Sequence, residues 1–203
     1  MTKGGTGNLR LGSNVVELLL PQRRPFLMVD FVHAFREEPV PTLEAGRHIS
    51  ANEVYFDGHF PGLHLWPGTL TLEGLGQACA LLMVLLAVRR SARGTGEDPD
   101  AALEALRNLD RGFRLHPGYR PEASAALLER MRPLQMSLAV GASAEVKYLK
   151  PVFAGVRLDY RVTLTDDFGD KVRFEAEASV EGAAVVTATI VGARVTRVLP
   201  PER

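Results

Sequence analysis

The sequence has one cysteine, one tryptophan and no excess of either charge, since 24 basic residues are balanced by 24 acidic ones. A single thiol, Cys79, excludes an intramolecular disulfide and a metal site that needs two thiolates. Because the net charge is zero, the whole chain has no long-range attraction for a polyanion, and nucleic-acid binding is not predicted. Residues 1–14 have no apolar stretch behind a basic start and no small-residue cleavage site, so a secretory signal is not predicted. Together these absences favour a protein of a reducing, cytoplasmic compartment.

The remaining composition is that of a globular protein, with 46% hydrophobic and 24% charged residues. A length of 203 residues is near the upper end of what one compact domain commonly holds, so we expect a single domain over residues 1–203. Residues 1–13 are polar and rich in glycine, which predicts a disordered tail.

The middle of the chain contains one long apolar run. Residues 69–88 are apolar on almost every side and match the roughly 20 residues that a membrane helix needs. Glu73 and Gln77 lie one turn apart within this run, and the sequence has no second run of the same kind. Since an ionisable group inside a bilayer is costly, we expect the buried helix of a soluble fold and no membrane insertion.

Strand patterns flank this helix on both sides. Short strands are predicted at residues 27–35 and 43–49, after a short helix at residues 15–20. From residue 135 onwards, alternation and turn residues predict four further strands in an antiparallel meander. The predicted fold class is α+β, with an antiparallel sheet of about six strands wrapped round a buried central helix.

An insertion separates the central helix from the third strand. Residues 90–134 begin with a linker rich in Gly, Ser and Asp, and Asp98 followed by Pro99 is typical of a helix start. Pro121 can start a second helix that ends before Pro133. Connections of this length are uncommon in compact domains, so the insertion is expected to be either functional or partly disordered. If it is functional, we expect it to pack beside the substrate tunnel or on an oligomer surface.

Chemically useful residues are concentrated in residues 57–77, DGHFPGLHLWPGTLTLEGLGQ. His59 lies among Gly and Pro residues that force a tight turn, so its imidazole is presented from a loop. Glu73 follows in the first turns of the apolar helix, where aliphatic surroundings favour the un-ionised carboxylic acid. Gly68 lies near the helix start, where unpaired N–H groups can stabilise an oxyanion. Such a set can remove water from a 3-hydroxyacyl thioester, with His59 as base and Glu73 as acid.

Each of these residues also has a structural interpretation. A histidine in a Gly-Pro loop is usually structural or solvent-facing, and Trp66 could simply anchor the loop on the core. His59 and His64 could be imagined as metal ligands, but no third ligand follows at a useful spacing, so no metal is expected. Cys79 is expected to pack in the core. Glu73 is harder to explain structurally, since burying a lone carboxylate is costly.

Three stretches of the sequence resemble the FabZ-type 3-hydroxyacyl-[acyl-carrier-protein] dehydratases, which have a hotdog fold: LLLPQRRPFLMVDFV, DGHFPGLHLWPGTLTLEGLGQACA and AEVKYLKPVFAGVRLDYRV. The resemblance implies that His59 and Glu73 are the catalytic pair and that Gly68 polarises the thioester carbonyl. It also implies substrate-site roles for three further residues, namely Leu65, whose backbone oxygen orients the histidine, Phe60, which lines the acyl tunnel, and Gln77, beside the acid.

The same resemblance implies the assembly and the partner. In that family two subunits form a continuous sheet, each active site takes its histidine from one chain and its acid from the other, and no cofactor is used. Glutamate rather than aspartate at position 73 favours dehydration without isomerisation. The substrate would be carried by an acyl carrier protein, and basic residues are candidates to meet this acidic partner. These candidates are Arg23, Arg24, Lys147 and Lys150.

This chain departs from the family pattern at residues 90–134, where relatives have a short connection. Because of this insertion, the sequence does not decide between two oligomeric states, a homodimer and a trimer of dimers. Two other functions also stay open. One is a hotdog thioesterase in which Glu73 serves a water nucleophile, and the other is a non-catalytic acyl-binding or assembly partner in a lipid, polyketide or pigment pathway. Turnover of a 3-hydroxyacyl thioester to an enoyl product would distinguish the dehydratase from both.

Overall fold

The structure is a computed structural model that describes residues 8–116, 118–119, 126–129 and 139–194. The helices are α1 Ser13–Leu19, α2 Gly68–Gly94 and α3 Pro99–Leu115, and a 3-10 helix spans Val54–Asp57. The strands are β1 Phe31–Arg36, β2 Thr42–Ile49, β3 Ala139–Tyr148, β4 Val156–Asp167, β5 Lys171–Val180 and β6 Ala183–Arg194.

The strands form one antiparallel sheet in the order β1-β2-β4-β5-β6-β3. Burial alternates along β5, where Val172 and Phe174 are buried and Arg173 between them is exposed, so one face of the sheet is apolar. α2 packs against the sheet and contacts β2, β3, β4, β5 and β6. This arrangement confirms the predicted α+β hotdog fold of six strands around a central helix. The predicted four-strand meander is correct only for β4, β5 and β6, because β3 pairs with β6 at the far edge of the sheet and β4 pairs with β2.

The first turns of α2 approach the sheet closely at Gly74. A Cβ atom at this position would lie 2.3 Å from the hydroxyl oxygen of Tyr160 on β4, closer than any real Cβ contact. Only glycine allows this approach. The contact therefore fixes how deeply the start of α2, and with it Glu73, is seated against the sheet.

α2 is long and apolar enough to cross a membrane, with a mean hydropathy of 1.8 over its most apolar 18-residue window. In the structure 67% of that window is buried inside the fold. The sheet and α3 cover the helix, so packing within the protein accounts for the apolar run.

The predicted disordered tail is wrong for residues 8–13. Leu9 and Leu11 are buried, and Leu11 exchanges backbone hydrogen bonds of 3.1 and 2.9 Å with Val32 of β1. Two leucines that find apolar surroundings outweigh the polar and glycine-rich composition of this stretch. The pairing also covers the outer edge of β1. Residues 1–7 lie outside the described part of the chain.

The insertion begins later than predicted, because α2 continues to Gly94 and residues 91–94 are helical rather than a linker. α3 starts as the sequence indicates, with Asp98 accepting a hydrogen bond of 2.9 Å from the backbone N–H of Asp100 and with Pro99 in the first turn. Residues 126–129 are helical and fall within the second predicted helix, the rest of which lies outside the described residues.

An ion-pair cluster joins the insertion to the sheet. Glu37, just after β1, receives hydrogen bonds of 2.7 Å from Arg89 and 2.8 Å from Arg93, both in the last turns of α2. Arg89 also pairs with Asp100 of α3. These contacts explain why α2 stays helical to Gly94, since its basic residues are held near the negative end of the helix dipole.

Replacing Glu37 by glutamine is expected to lower the free energy of unfolding at neutral pH by about 1 kcal/mol, because two arginines lose their common counter-ion. Hydrogen bonds from Arg93 and Arg89 hold the pKa of Glu37 below its usual value. Since the folded-state pKa is the lower one, this stability is present above the unfolded-state pKa and disappears as the pH falls through the folded-state value. Urea unfolding at neutral and acidic pH measures both effects. Glu38→Gln, an equal charge change at an exposed neighbour, is the control, and equal losses in the two variants would contradict the interpretation.

Candidate active site

The loop that carries His59 is anchored at both ends by buried aromatic residues. Phe56 in the 3-10 helix and Trp66 just before α2 are buried, and their rings meet edge to face with centroids 6.2 Å apart. Between them, the backbones of Phe60 and Leu63 exchange hydrogen bonds of 3.0 and 2.8 Å, which close a tight turn. His59 is therefore presented from a loop that is fixed to the core on either side.

The imidazole of His59 is half-buried and has a defined partner. Nδ1 lies 3.0 Å from the backbone oxygen of Leu65. Because a carbonyl oxygen only accepts hydrogen bonds, Nδ1 carries the proton and the lone pair of Nε2 is left as the basic site. The ring also stacks on Phe60, with centroids 4.2 Å apart. The contact that the resemblance implies for Leu65 is thus present, and it selects the tautomer that a general base requires.

Gly68 is the first residue of α2, and the N-cap before it, Pro67, makes no side-chain hydrogen bond. The helix therefore begins with N–H groups that lack a side-chain cap and carry partial positive charge. Tyr148 at the end of β3 packs directly on this glycine, since a Cβ at position 68 would lie 2.7 Å from Cε1 of its ring. Glycine is required here by a close approach, and no motif in the sequence marks Tyr148 as its neighbour.

Gln77 holds the carboxyl group of Glu73. The side chain of Gln77 is 1% exposed, and its oxygen accepts a hydrogen bond of 2.7 Å from the backbone N–H of Met28, which fixes the orientation of the amide. Its Nε2 then donates at 2.8 Å to Oε1 of Glu73 and at 2.8 Å to the backbone oxygen of Phe26. Glu73 is half-buried, and within the part of the chain that the structure describes its Oε2 receives no hydrogen bond.

His59, Leu65 and Gly68 line one cleft of about 410 Å³. Its walls are mainly apolar, as binding of an acyl chain would require, and His59 and the start of α2 lie at the same opening. The other residues that contribute to these walls include Trp66, Thr71, Tyr148, Leu149, Lys150 and Val186.

Glu73, Gln77 and Phe60 are not among the residues that line this cleft in the described chain. Thr71 lines the cleft, and Glu73 lies two residues further along α2. Because each residue rotates the helix by about 100°, Glu73 is on nearly the opposite side of α2. A single chain therefore brings together His59, Leu65 and Gly68 but does not bring Glu73 to His59. The sequence could not reveal this separation, because it depends on which side of α2 the cleft opens.

Lys150 is the one among the four basic candidates that lines the cleft, and Lys147 is exposed on β3. Arg23 instead donates hydrogen bonds to backbone oxygens, and Arg24 pairs with two carboxylates. The two arginines are thus engaged within the chain, whereas the lysines lie on the side of β3.

Cys79 is buried, and burial raises the pKa of its thiol well above the usual value, so it packs in the core as predicted. His64 stacks on Phe56 with ring centroids 5.1 Å apart. Within the described ranges, no group of three or more His, Cys, Asp or Glu side chains is placed to hold a metal ion.

Residues 20–101, which include the His59 loop and the first turns of α2, match the family model described as a FabA-like domain. The 3-hydroxyacyl-[acyl-carrier-protein] dehydratase FabZ of Anaeromyxobacter sp. (strain Fw109-5) is 41% identical over 118 residues, which are 57% of this chain and 70% of that protein. A FabZ of Neisseria meningitidis serogroup C / serotype 2a is 46% identical over 70 residues, which are 34% of this chain and 46% of that protein. The chain thus spans about half the length of this second relative.

Among solved structures, the dehydratase heterocomplex ApeI:P from Xenorhabdus doucetiae is similar in fold, with a TM-score of 0.53 and 16% identity over 89% of this chain and 90% of that chain. The identity of 41% to the Anaeromyxobacter protein extends over more than two thirds of its length. This chain therefore belongs to the FabZ family of 3-hydroxyacyl-[acyl-carrier-protein] dehydratases.

Proposed function

We propose that this protein removes water from 3-hydroxyacyl thioesters to give trans-2-enoyl thioesters, in fatty-acid biosynthesis or a related lipid, polyketide or pigment pathway. The observation that carries the proposal is the contact between Nδ1 of His59 and the oxygen of Leu65, in a cleft that also contains the start of α2 at Gly68. Abstraction of a proton next to a thioester carbonyl needs a base and a group that stabilises the developing oxyanion. An imidazole held in one tautomer can supply the first, and the free N–H groups of a helix start can supply the second.

The reaction assigns one step to each group. Nε2 of His59 takes the proton from C2, and the N–H of Gly68 stabilises the negative charge that develops on the thioester oxygen. Glu73 gives a proton to the hydroxyl on C3, which leaves as water as the C2–C3 double bond forms. Gln77 keeps the Glu73 carboxyl oriented. Phe60, which does not line the cleft of its own chain, is proposed to line the acyl path in the dimer. No cofactor takes part in these steps.

A homodimer completes the site in this proposal. β3 is an edge strand that pairs only with β6 among the described strands, and Tyr148 and Leu149 at its end are exposed. The opposite edge of the sheet is covered at Leu11, so β3 is the edge free to pair with a second copy. Pairing there would place Glu73 of the partner subunit at the cleft that holds His59. A trimer of such dimers is compatible with the exposed face of α3.

The activity is tested by incubating the purified chain with 3-hydroxyacyl thioesters of several lengths. Enoyl absorbance is followed together with release of free thiol. The expected result is enoyl formation without thiol release, and a dimer in sedimentation. Thiol release alone would identify a thioesterase. No turnover by a dimer would leave an acyl-binding protein, and no turnover by a monomer would point to a missing second chain, as in the heterocomplex from Xenorhabdus doucetiae.

An acyl carrier protein is the proposed donor of the substrate. Lys150 lines the cleft, which supports the proposal that it contacts this acidic partner. Lys150→Glu is expected to raise the KM for the carrier-bound substrate roughly tenfold, because a rim charge acts mainly on encounter. The KM for the same acyl group on a short thiol should change little. Lys171→Glu, an equal charge change at the exposed start of β5, is the control. Equal effects on both substrates would contradict a role in carrier recognition.

The proposal includes a cytoplasmic protein with one hotdog domain. A single buried thiol, Cys79, suits a reducing compartment. Contacts of α3 with both α1 and α2 support treating the insertion as part of that domain rather than as a separate unit.

A further inference from the structure

Arg47 is a buried charge that the proposed mechanism leaves without a role. It lies on β2 and is 3% exposed. Nη1 donates a hydrogen bond of 2.6 Å to the backbone oxygen of Leu27, and Nη2 forms an ion pair of 2.7 Å with Glu53. Burying a guanidinium is costly unless its charge is paired and its donors are bonded. The reason for keeping it must therefore lie in the two elements that its planar fork joins.

The first of these elements holds the acid. Leu27 lies between Phe26 and Met28, and the backbones of both neighbours form hydrogen bonds with the side chain of Gln77. Gln77 in turn donates to Glu73. Arg47 therefore fixes the backbone between the two contacts that orient Gln77, and a shift of that backbone would move the Glu73 carboxyl with it.

The second element holds the base. The guanidinium carbon of Arg47 lies 5.3 Å from the centroid of the Trp66 ring, within range of a cation–π contact. Trp66 follows Leu65 directly, and the oxygen of Leu65 is the partner of His59 Nδ1. Glu53, the other partner of Arg47, precedes the 3-10 helix that leads into the His59 loop. Arg47 thus contacts both ends of the segment that presents the imidazole.

We infer that Arg47 is a positioning residue for both catalytic groups of its own chain, acting on Glu73 through Gln77 and on His59 through Trp66 and Glu53. The inference rests on the proposed dehydratase function. In the proposed dimer, His59 and Glu73 of one chain serve different clefts, so one buried arginine supports half of each active site. Lysine is expected to replace it poorly, because a single ammonium group lacks the planar fork with which Arg47 bonds Leu27 and Glu53 through separate nitrogens.

The test is Arg47→Lys, which keeps the charge and removes the fork. We expect kcat to fall roughly 10- to 100-fold, since small displacements of reacting groups have effects of this size. KM should change less, because among the described residues Trp66 is the one cleft residue that Arg47 contacts. Tyr148 and Val186 line the cleft from β3 and β6, whereas Arg47 lies on β2. Arg89, like Arg47, is a largely buried arginine in an ion pair, and its partners are the carboxylates of Glu37 and Asp100. Arg89→Lys is therefore the matched control. It should lower the melting temperature and leave kcat unchanged.

A double-mutant cycle distinguishes positioning from a loss of stability. If Arg47 acts through Gln77, the two substitutions disturb the same contact, and their effects on kcat should not be additive. The fall in kcat of the double variant Arg47→Lys/Gln77→Ala should then be smaller than the product of the two single-variant factors. A kcat of Arg47→Lys within twofold of wild type, with only a lower melting temperature, would overturn the inference. If that variant does not fold, Glu53→Gln takes its place and should lower kcat at unchanged KM. An inactive wild type would instead refute the proposed function.

Discussion

Replacing His59 by asparagine is expected to lower kcat by a factor of about 10³ or more, within the range that general acid–base groups contribute. The asparagine amide can still donate a hydrogen bond to the oxygen of Leu65, so the loop should keep its conformation while the basic Nε2 is lost. Glu73→Gln should have a similar effect, because its amide can still bond to Gln77 but cannot give a proton to the leaving hydroxyl. Steady-state rates with a 3-hydroxyacyl thioester measure both.

His64→Asn is the control for the histidine variant. His64 lies in the same loop, is exposed, and stacks on Phe56 rather than lining the cleft. Its replacement should leave kcat within about twofold, as expected for a surface position. If His59→Asn retained a tenth or more of wild-type kcat while folded, the imidazole could not be the base, and the dehydratase mechanism would need another group.

The parts of the fold that could be predicted are those set by local patterns. Alternation predicted the strands of the sheet, because burial on one face leaves a period of two in the sequence. The apolar run predicted α2, because a helix that is buried on almost every side has no polar face. Asp98 and Pro99 marked the start of α3 because capping depends on adjacent residues. The spacing of His59, Gly68 and Glu73 likewise indicated a base, an oxyanion site and an acid, since each residue type carries its chemistry with it.

The parts that could not be predicted depend on contacts between distant residues. Leu11 pairs with Val32 although its surroundings in sequence read as a tail, and α2 extends to Gly94 because Arg93 meets Glu37 after β1. Arg47 is isolated in sequence from every residue that it connects, so no motif marks it. The position of Glu73 away from its own cleft is of the same kind, since only the packing of α2 determines which residues face the opening.

Mixed dimers should show whether each site takes its base and its acid from different chains. If His59 acts with Glu73 of the partner subunit, a heterodimer of His59→Asn and Glu73→Gln contains one intact site and one site that lacks both groups. It is therefore expected to recover about half of wild-type kcat per dimer, although either parent homodimer has lost activity by a factor of about 10³. Two affinity tags on co-expressed chains allow this heterodimer to be isolated and assayed.

The reciprocal heterodimer makes the test unambiguous. A chain with both substitutions, paired with a wild-type chain, has one defective group in each site if the sites are shared, and it should be nearly inactive. If both groups acted within one chain, the outcomes would be exchanged: the double-mutant heterodimer would keep about half of wild-type activity and the single-mutant heterodimer would have none. Glu73 and His59 face different sides of α2 within one chain, and the cleft contains only the histidine, so the structure favours the first pattern. If neither heterodimer were active, the tagged chains could have failed to assemble into working dimers. A wild-type pair carrying both tags is the control, since its full activity excludes a failure of assembly.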